Sequence, residues 1–263
     1  VTHGPVRVTL LTDFGTRDGY VAAMRGVIAS LAPGVVVEDA SHDIAPGDVA
    51  AAAWALGRYW RLYPEGTVHV VVVDPGVGGE RRALAAACGR LFLVGPDNGV
   101  LTHALADSPS ARVISVENPA YLLQPVSATF HGRDVFAPAA AHLAAGGTLE
   151  LLGRAIDDPL LLPMPRAERD GEVIRGAIVH VDRFGNLVTN IPGAWLDMDV
   201  EVSVAEMPVG PLRPTYAAAP PGARVAVIGS AETLEIAVRD GSAQAALHVG
   251  RGAEVIVRQR RAP

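Results

Sequence analysis

The 263-residue chain is 49% hydrophobic and 19% charged with a formal net charge of −6, the profile of an ordinary globular protein with room for one large or two modest domains. Its basic residues are scattered, so it has no electrostatic footprint for nucleic acid, and its apolar runs break well short of the roughly 18 residues of a membrane span. All 22 basic residues are arginine, which excludes a lysine Schiff base and a Walker-type phosphate loop; the single cysteine, Cys88, excludes an intramolecular disulfide and a multi-cysteine zinc site. No signal or transit peptide is visible, so a cytoplasmic protein is expected.

In chain order, VRVTLLT (6–12) predicts a first strand, followed by a helix with Met24, Val27, Ile28 and Leu31 at helical spacing. VVVE (35–38) predicts a second strand. Asp48 is placed to cap an Ala-rich helix running through Leu62, and Thr67 to Val73 form a third strand. ALAAAC and LFLV read as a hairpin through Gly89 and Arg90, and ARVISV as a further strand. GRDVFAPAAAHLAAGG reads as a helix stopped by glycines. This alternation predicts an N-terminal α/β domain with a largely parallel sheet over residues 1–165. Prolines and charges near 159–171 mark a linker. Short alternating strands beyond it predict a smaller, mainly β domain over 172–263, with GSAQAAL its one helical turn.

Open α/β sheets hold ligands at the carboxyl ends of their strands, and loops expected there carry the polar chemistry. LLTDFGTRDGY (10–20) supplies Asp13 and Asp18, VVVVDPGVGGERR (70–82) supplies Asp74 and Arg81, and GPDNG (95–99) supplies Asp97. A carboxylate at a strand end can accept ribose hydroxyls, and adjacent glycines let backbone amides approach a ligand. Either Asp13 or Asp18 could instead cap the next helix, and Asp97 reads as a turn residue. ATFHGRDVF (128–136) brings Phe130, His131, Arg133 and Asp134 into one loop before a helix; Arg133 and Asp134 are expected to pair or to cap it. In the C-terminal part, HVDRFGNLVTN (180–190) offers Asp182, Phe184 and Asn186, which alternate on one strand face if the segment is extended. An aromatic plane with an amide and a carboxylate suits a purine, although a tight Phe-Gly-Asn turn fits the same letters. GSAETLEIAV (229–238) adds Ser230, Glu232 and Glu235, a weak signal alone.

Five of these stretches in this order, LLTDFGTRDGYV, VVVDPGVGGERR, GPDNGVL, SATFHGRDVFAPAAAHL and VDRFGNLVTNI, resemble the S-adenosyl-L-methionine hydroxide adenosyltransferases, kin of the fluorinases and chlorinases. The resemblance implies hydrolysis of S-adenosyl-L-methionine (SAM) to adenosine and methionine; because the leaving group is a neutral thioether, no metal and no cofactor are expected. It implies a homotrimer, with ligand held between one subunit's N-terminal domain and its neighbour's C-terminal domain. An Asp-Arg-His set would handle the water, and the matching positions are Asp74, Arg81 and His131, with Arg82 the rival for Arg81. Asp13 matches the ribose-binding acid and Asp18 a nearby ligand-loop position; Phe130 joins the substrate-binding set. Asp182, Phe184, Asn186 and Ser230 match the part that holds the adenine and methionine ends. Halogenating relatives carry a Tyr-Pro-x-Thr-Gly type loop where this chain has Asp74-Pro75-Gly76-Val77-Gly78, and they lack the histidine. A carboxylate there penalises a halide, which ranks hydrolysis above halogenation. Two further alternatives are a calcium-dependent nucleoside hydrolase using Asp13, Asp18 and Asp74 as hard-cation ligands, and a non-catalytic adenosine or SAM binding protein.

Overall fold

The computed structural model describes residues 6–259 and divides into two compact units between Leu162 and Pro163. The first unit alternates strands and helices: β1 (Arg7–Thr12), α1 (Tyr20–Leu31), β2 (Val36–Ser41), α2 (Val49–Tyr59), β3 (Val68–Val72), β4 (Ala83–Cys88), β5 (Leu91–Pro96), α3 (Thr102–Ala106), β6 (Arg112–Val116), α4 (Ala137–Ala144) and β7 (Gly153–Ile156). Seven strands form one sheet in the order β2-β1-β3-β5-β4-β6-β7. The first four in that order pair in parallel, whereas the β5–β4, β4–β6 and β6–β7 pairs are antiparallel. The expected largely parallel sheet is therefore corrected to a mixed one. The physical reason is the Gly89-Arg90 hairpin, which returns the chain directly and needs no crossover helix.

The unbroken valines of β3 follow from burial on both faces of the sheet. Val68, Val70 and Val72 pack with Met24 and Ile28 of α1 and Ala140 and Leu143 of α4. On the other face Val71 and Val73 join Leu56 of α2 and Ala104 and Leu105 of α3. Leu31, placed at core spacing by the sequence, is half exposed; the buried positions of this stretch run Met24, Ile28 and Ala32, four residues apart, and Leu31 falls off that line. Cys88 is buried and burial pushes its thiol pKa up, as suits a small core side chain.

Two features aim the loops. Thr12 lies beside Val72 in the parallel β1–β3 pair, so the segments carrying Asp13 and Asp74 leave one sheet edge side by side. The chain also crosses from β2 on one side of β1 to β3 on the other, which makes the β1–β3 gap the crevice where strand order reverses.

The second unit comprises β8 (Glu168–Asp170), β9 (Val173–Val181), β10 (Leu187–Pro192), β11 (Val200–Val204), β12 (Met207–Gly210), β13 (Arg224–Ile228), β14 (Thr233–Val238), α5 (Ala243–Leu247) and β15 (Glu254–Gln259). Its strands pair in the order β12-β11-β15-β9-β10-β14-β13, with β8 added to β9, and every pairing is antiparallel. Ile174, Leu187, Val202, Ile236 and Val257 build its core. Among the described residues no helix is long and apolar enough to cross a membrane.

Asp48 caps α2 as its position predicts, its Oδ1 accepting from the Ala51 N–H at 2.9 Å. Asp48→Ala is expected to cost about 1 kcal/mol, a fall of roughly 2–4 °C in melting temperature readable by circular dichroism.

Candidate active site

Asp74 comes two residues after the end of β3, and its loop doubles back through Val77 N–H to Asp74 C=O and Gly79 N–H to Gly76 C=O bonds. That fold returns Arg81 to the carboxylate seven residues earlier. Arg81 Nε lies 3.1 Å from Asp74 Oδ1 and 3.0 Å from Oδ2, and its Nη2 donates to Oδ2 as well. Only 4% of the Asp74 side chain and 11% of the Arg81 side chain meet solvent, so removing either partner strands a buried charge. The Arg81 guanidinium also rests over the Phe136 ring, 5.5 Å from its centroid.

The same Nη2 reaches His131 Nδ1 at 2.6 Å. A guanidinium has donors only, so Nδ1 must accept, and the hydrogen of a neutral His131 ring sits on Nε2. Burial first, and the Arg81 charge second, hold the His131 pKa below its ordinary value, against the opposing pull of Asp74 and Asp134. One guanidinium thus orders both a carboxylate and an imidazole.

His131 arrives on a loop that docks against the Asp74 loop. Gly78 has φ 76°, and a Cβ there would lie 2.1 Å from the Ala128 carbonyl oxygen, so only glycine lets the two backbones close up. Past His131 the chain makes a π-helical turn, Gly132–Phe136, before α4. Within it the buried Asp134 takes Arg133 Nε at 2.6 Å and the Ser127 N–H at 2.9 Å, so the expected Arg133–Asp134 pair forms and anchors the histidine loop as well.

Beside the trio opens a cleft of about 330 Å³ lined by Asp74, His131, Phe130, Phe14, Tyr20 and Thr129 among others. Phe14 and Tyr20 were missed as site residues. Tyr20 reads as the first residue of a helix and Phe14 as a hydrophobic inside a polar loop; two aromatics flanking GTRDG (15–19) were the available signal. Asp13 and Asp18 do not line this cleft. Asp13 Oδ2 accepts from the Gly47 N–H at 2.8 Å, pinning the first loop, and Asp18 is exposed. Neither side chain accepts a bond that caps α1, whose N-cap is Gly19. No group of three or more His, Cys, Asp or Glu able to hold a metal ion occurs among the described residues, so Asp13, Asp18 and Asp74 do not converge as a cation site.

Arg82 turns the other way. It contacts Asp97 Oδ2 through Nε at 2.7 Å and Asp158 Oδ1 through Nη1 at 2.7 Å, while Asp97 Oδ1 accepts from the Leu160 N–H. Arg81, not Arg82, is thus the arginine bonded to Asp74 and His131, and Asp97 is a turn anchor.

In the second unit the extended reading of Asp182, Phe184 and Asn186 is corrected. β9 ends at Val181 and β10 starts at Leu187, so the three sit in the hairpin turn between them. Asp182 Oδ1 accepts from the Phe184 and Asn186 N–H groups at 2.9 and 2.8 Å, and Oδ2 takes the Asn186 side-chain amide at 2.8 Å. Local polar bonding of this kind outcompetes strand pairing. Its result is a braced turn that leaves Phe184 75% exposed. Ser230 lies in the turn between β13 and β14, and nearby Glu235 is buried, receives the Tyr216 hydroxyl and has its pKa raised by burial.

Two sequence profiles cover most of the chain: the SAM hydroxide adenosyltransferase N-terminal domain matches residues 8–153 and the C-terminal domain of the same name matches 176–256. The chain belongs to the SAM hydroxide adenosyltransferase family. A protein of Thermus thermophilus named (R)-S-adenosyl-L-methionine hydrolase is 44% identical over 255 residues, spanning 94% of this chain and 98% of that one. A Salinispora arenicola protein of the same name is 40% identical, spanning 95% and 97%. A crystal structure of an uncharacterized conserved protein from Thermotoga maritima superposes with a TM-score of 0.89 at 34% identity, covering 96% of this chain and all of that one. Fluorinases stand further off; that of an Actinoplanes species is 31% identical over 72% of each chain.

In this adenosyltransferase the histidine's environment is measurable by NMR. His131 is expected to titrate below 6.5, and Arg81→Met should raise its pKa, because the neighbouring cation is lost while Asp74 stays.

Proposed function

We propose that this adenosyltransferase hydrolyses S-adenosyl-L-methionine, R-configured at the sulfonium, to adenosine and L-methionine. The observation that carries the reading is Arg81 binding Asp74 and His131 at the wall of one cleft, in a chain of this family. The R configuration is taken from the relatives' name: the prefix L fixes the amino-acid carbon, which leaves sulfur as the centre that R designates.

Water attacks the ribose C5′ in line with the C5′–S bond, whose electron pair leaves on sulfur. The leaving group is a neutral thioether, so it needs no acid catalyst, and the reaction as written calls on no metal or organic cofactor. Full ionisation of water by an ordinary imidazole would span roughly nine pKa units, on the order of 12 kcal/mol, so proton transfer accompanies C–O bond formation. Arg81 occupies His131 Nδ1, which leaves the Nε2–H to donate to the water oxygen and Asp74 to accept its proton. General-base assistance supplies about 10²- to 10⁴-fold, and orientation recovers up to roughly 7–11 kcal/mol of barrier. A buried carboxylate beside the reacting carbon penalises a halide, which sets this chemistry apart from the fluorinases.

Asp13 stands off the cleft wall, but its loop carries Phe14 into that wall; pinned through one oxygen, Asp13 keeps the other for the hydroxyls of a ribose that extends past the cleft, with Asp18 in the same loop and Phe130 against the ligand. The reading includes a cytoplasmic homotrimer. In it Asp182, Phe184, Asn186 and Ser230 from a neighbouring subunit meet the adenine and methionine ends, for which the exposed Phe184 is a ready stacking surface.

The deciding experiment incubates the protein with each sulfonium epimer and separates the products by chromatography. Adenosine and methionine in equal amounts from the R epimer are expected; free adenine would mean glycosidic cleavage, and unchanged substrate a binding protein. His131→Ala should lower kcat by about 10²-fold, through lost orientation of the water, with little change in ligand affinity, whereas Asp13→Ala should weaken affinity first. Unchanged turnover in His131→Ala would remove that residue from the mechanism.

A further inference from the structure

We infer that Phe14, Tyr20 and Phe130 form an aromatic corner that selects a positively charged sulfur over a neutral one; this rests on the sulfonium-hydrolase reading above. The three rings lie in mutual contact, with centroids 5.8 Å apart for Phe14–Tyr20, 6.0 Å for Phe14–Phe130 and 5.1 Å for Tyr20–Phe130. Their planes meet at 59°, 73° and 80°, so no pair is stacked face to face. All three line the cleft that holds Asp74 and His131.

Packing alone does not account for the corner. Phe14 and Phe130 lean on the core of α1 and α4, but Tyr20 stands outside that core with 48% of its surface in solvent. A half-exposed ring at a cleft wall gains its burial from a ligand. Gly132 keeps the corner open, since a Cβ there would crowd Phe130 at 3.2 Å and Phe14 at 3.3 Å. The ring faces already attract cations in this structure: Arg133 lies over Phe130, 5.2 Å from the centroid. That guanidinium is bound to Asp134 and belongs to the loop, which leaves Tyr20 and Phe14 as the rings free to meet a ligand's charge.

The quadrupole of an aromatic face attracts a cation and is indifferent to a thioether of the same shape. As the C5′–S bond breaks, its electron pair neutralises sulfur, the water oxygen takes its place on carbon, and the proton passes to Asp74. The attraction is therefore strongest in the bound substrate and fades towards the transition state. It lowers KM and does not raise kcat, and it releases the product once the charge is gone.

The test compares Tyr20→Leu and Tyr20→Phe. KM and kcat are measured for hydrolysis, and in the slowed His131→Ala background calorimetry gives Kd for SAM and for S-adenosyl-L-homocysteine, its neutral thioether analogue. Tyr20→Leu should raise KM and the SAM Kd roughly five- to thirtyfold, change the thioether Kd less than twofold, and leave kcat equal or higher, while Tyr20→Phe restores SAM binding. Equal losses for both ligands, or none for SAM, would overturn the inference. A wild-type protein that binds SAM and never cleaves it would defeat the hydrolase reading instead, and the ratio of the two Kd values would still judge the corner.

Discussion

The site depends on how one guanidinium spends its donors. Arg81 gives Nε and Nη2 to Asp74 and the same Nη2 to His131, and each contact limits what the partners can do. The carboxylate is held in a forked geometry beside the cleft. The imidazole, with Nδ1 already accepting, presents a hydrogen on its other nitrogen. Burial of the Asp74–Arg81 pair makes the arrangement all-or-none, because a lone survivor would be a charge without solvent or partner.

The trio joins two loops and its cleft adds a third, and the fold supplies two devices for their meeting. Parallel pairing of β1 with β3 across the point where strand order reverses delivers the Asp13 and Asp74 loops to one edge. Glycine at position 78 then lets the histidine loop approach backbone to backbone, and Asp134 ties that loop down through the Ser127 amide. The aromatic corner arises from the same convergence: Phe14, Tyr20 and Phe130 come from two of these loops and touch only because the loops do.

Charge explains the division of labour within the site. Substrate and product differ by a cation on sulfur, and water must reach carbon while anions are turned away. On the proposed reading, an aromatic wall beside a buried carboxylate would treat these cases differently, the wall attracting the sulfonium and the carboxylate repelling a halide. Arg82, one residue from the central guanidinium, instead clasps Asp97 and Asp158 of the same unit.

Much of this was legible in the letters because local chemistry acts through near neighbours. The valine run ending at Asp74, the Asp48 cap, the Gly89-Arg90 hairpin and the arginine next to an aspartate in HGRD each state a preference that short-range sterics or hydrogen bonding enforces. The order of five motifs even named the family. What the letters left open was decided by contacts between distant segments. Arg81 and Arg82 are equivalent as text, and only the return of the loop after β3 sends one to Asp74 and the other to Asp97. Asp182 to Asn186 reads equally as strand or turn until the carboxylate is seen closing on two amides. Tyr20 looks like any helix start until folding sets it edge-on to Phe130. Sequence alone determined which groups were available; tertiary structure decided which of them meet, because burial and directional hydrogen bonds select one pairing from several that the chain allows.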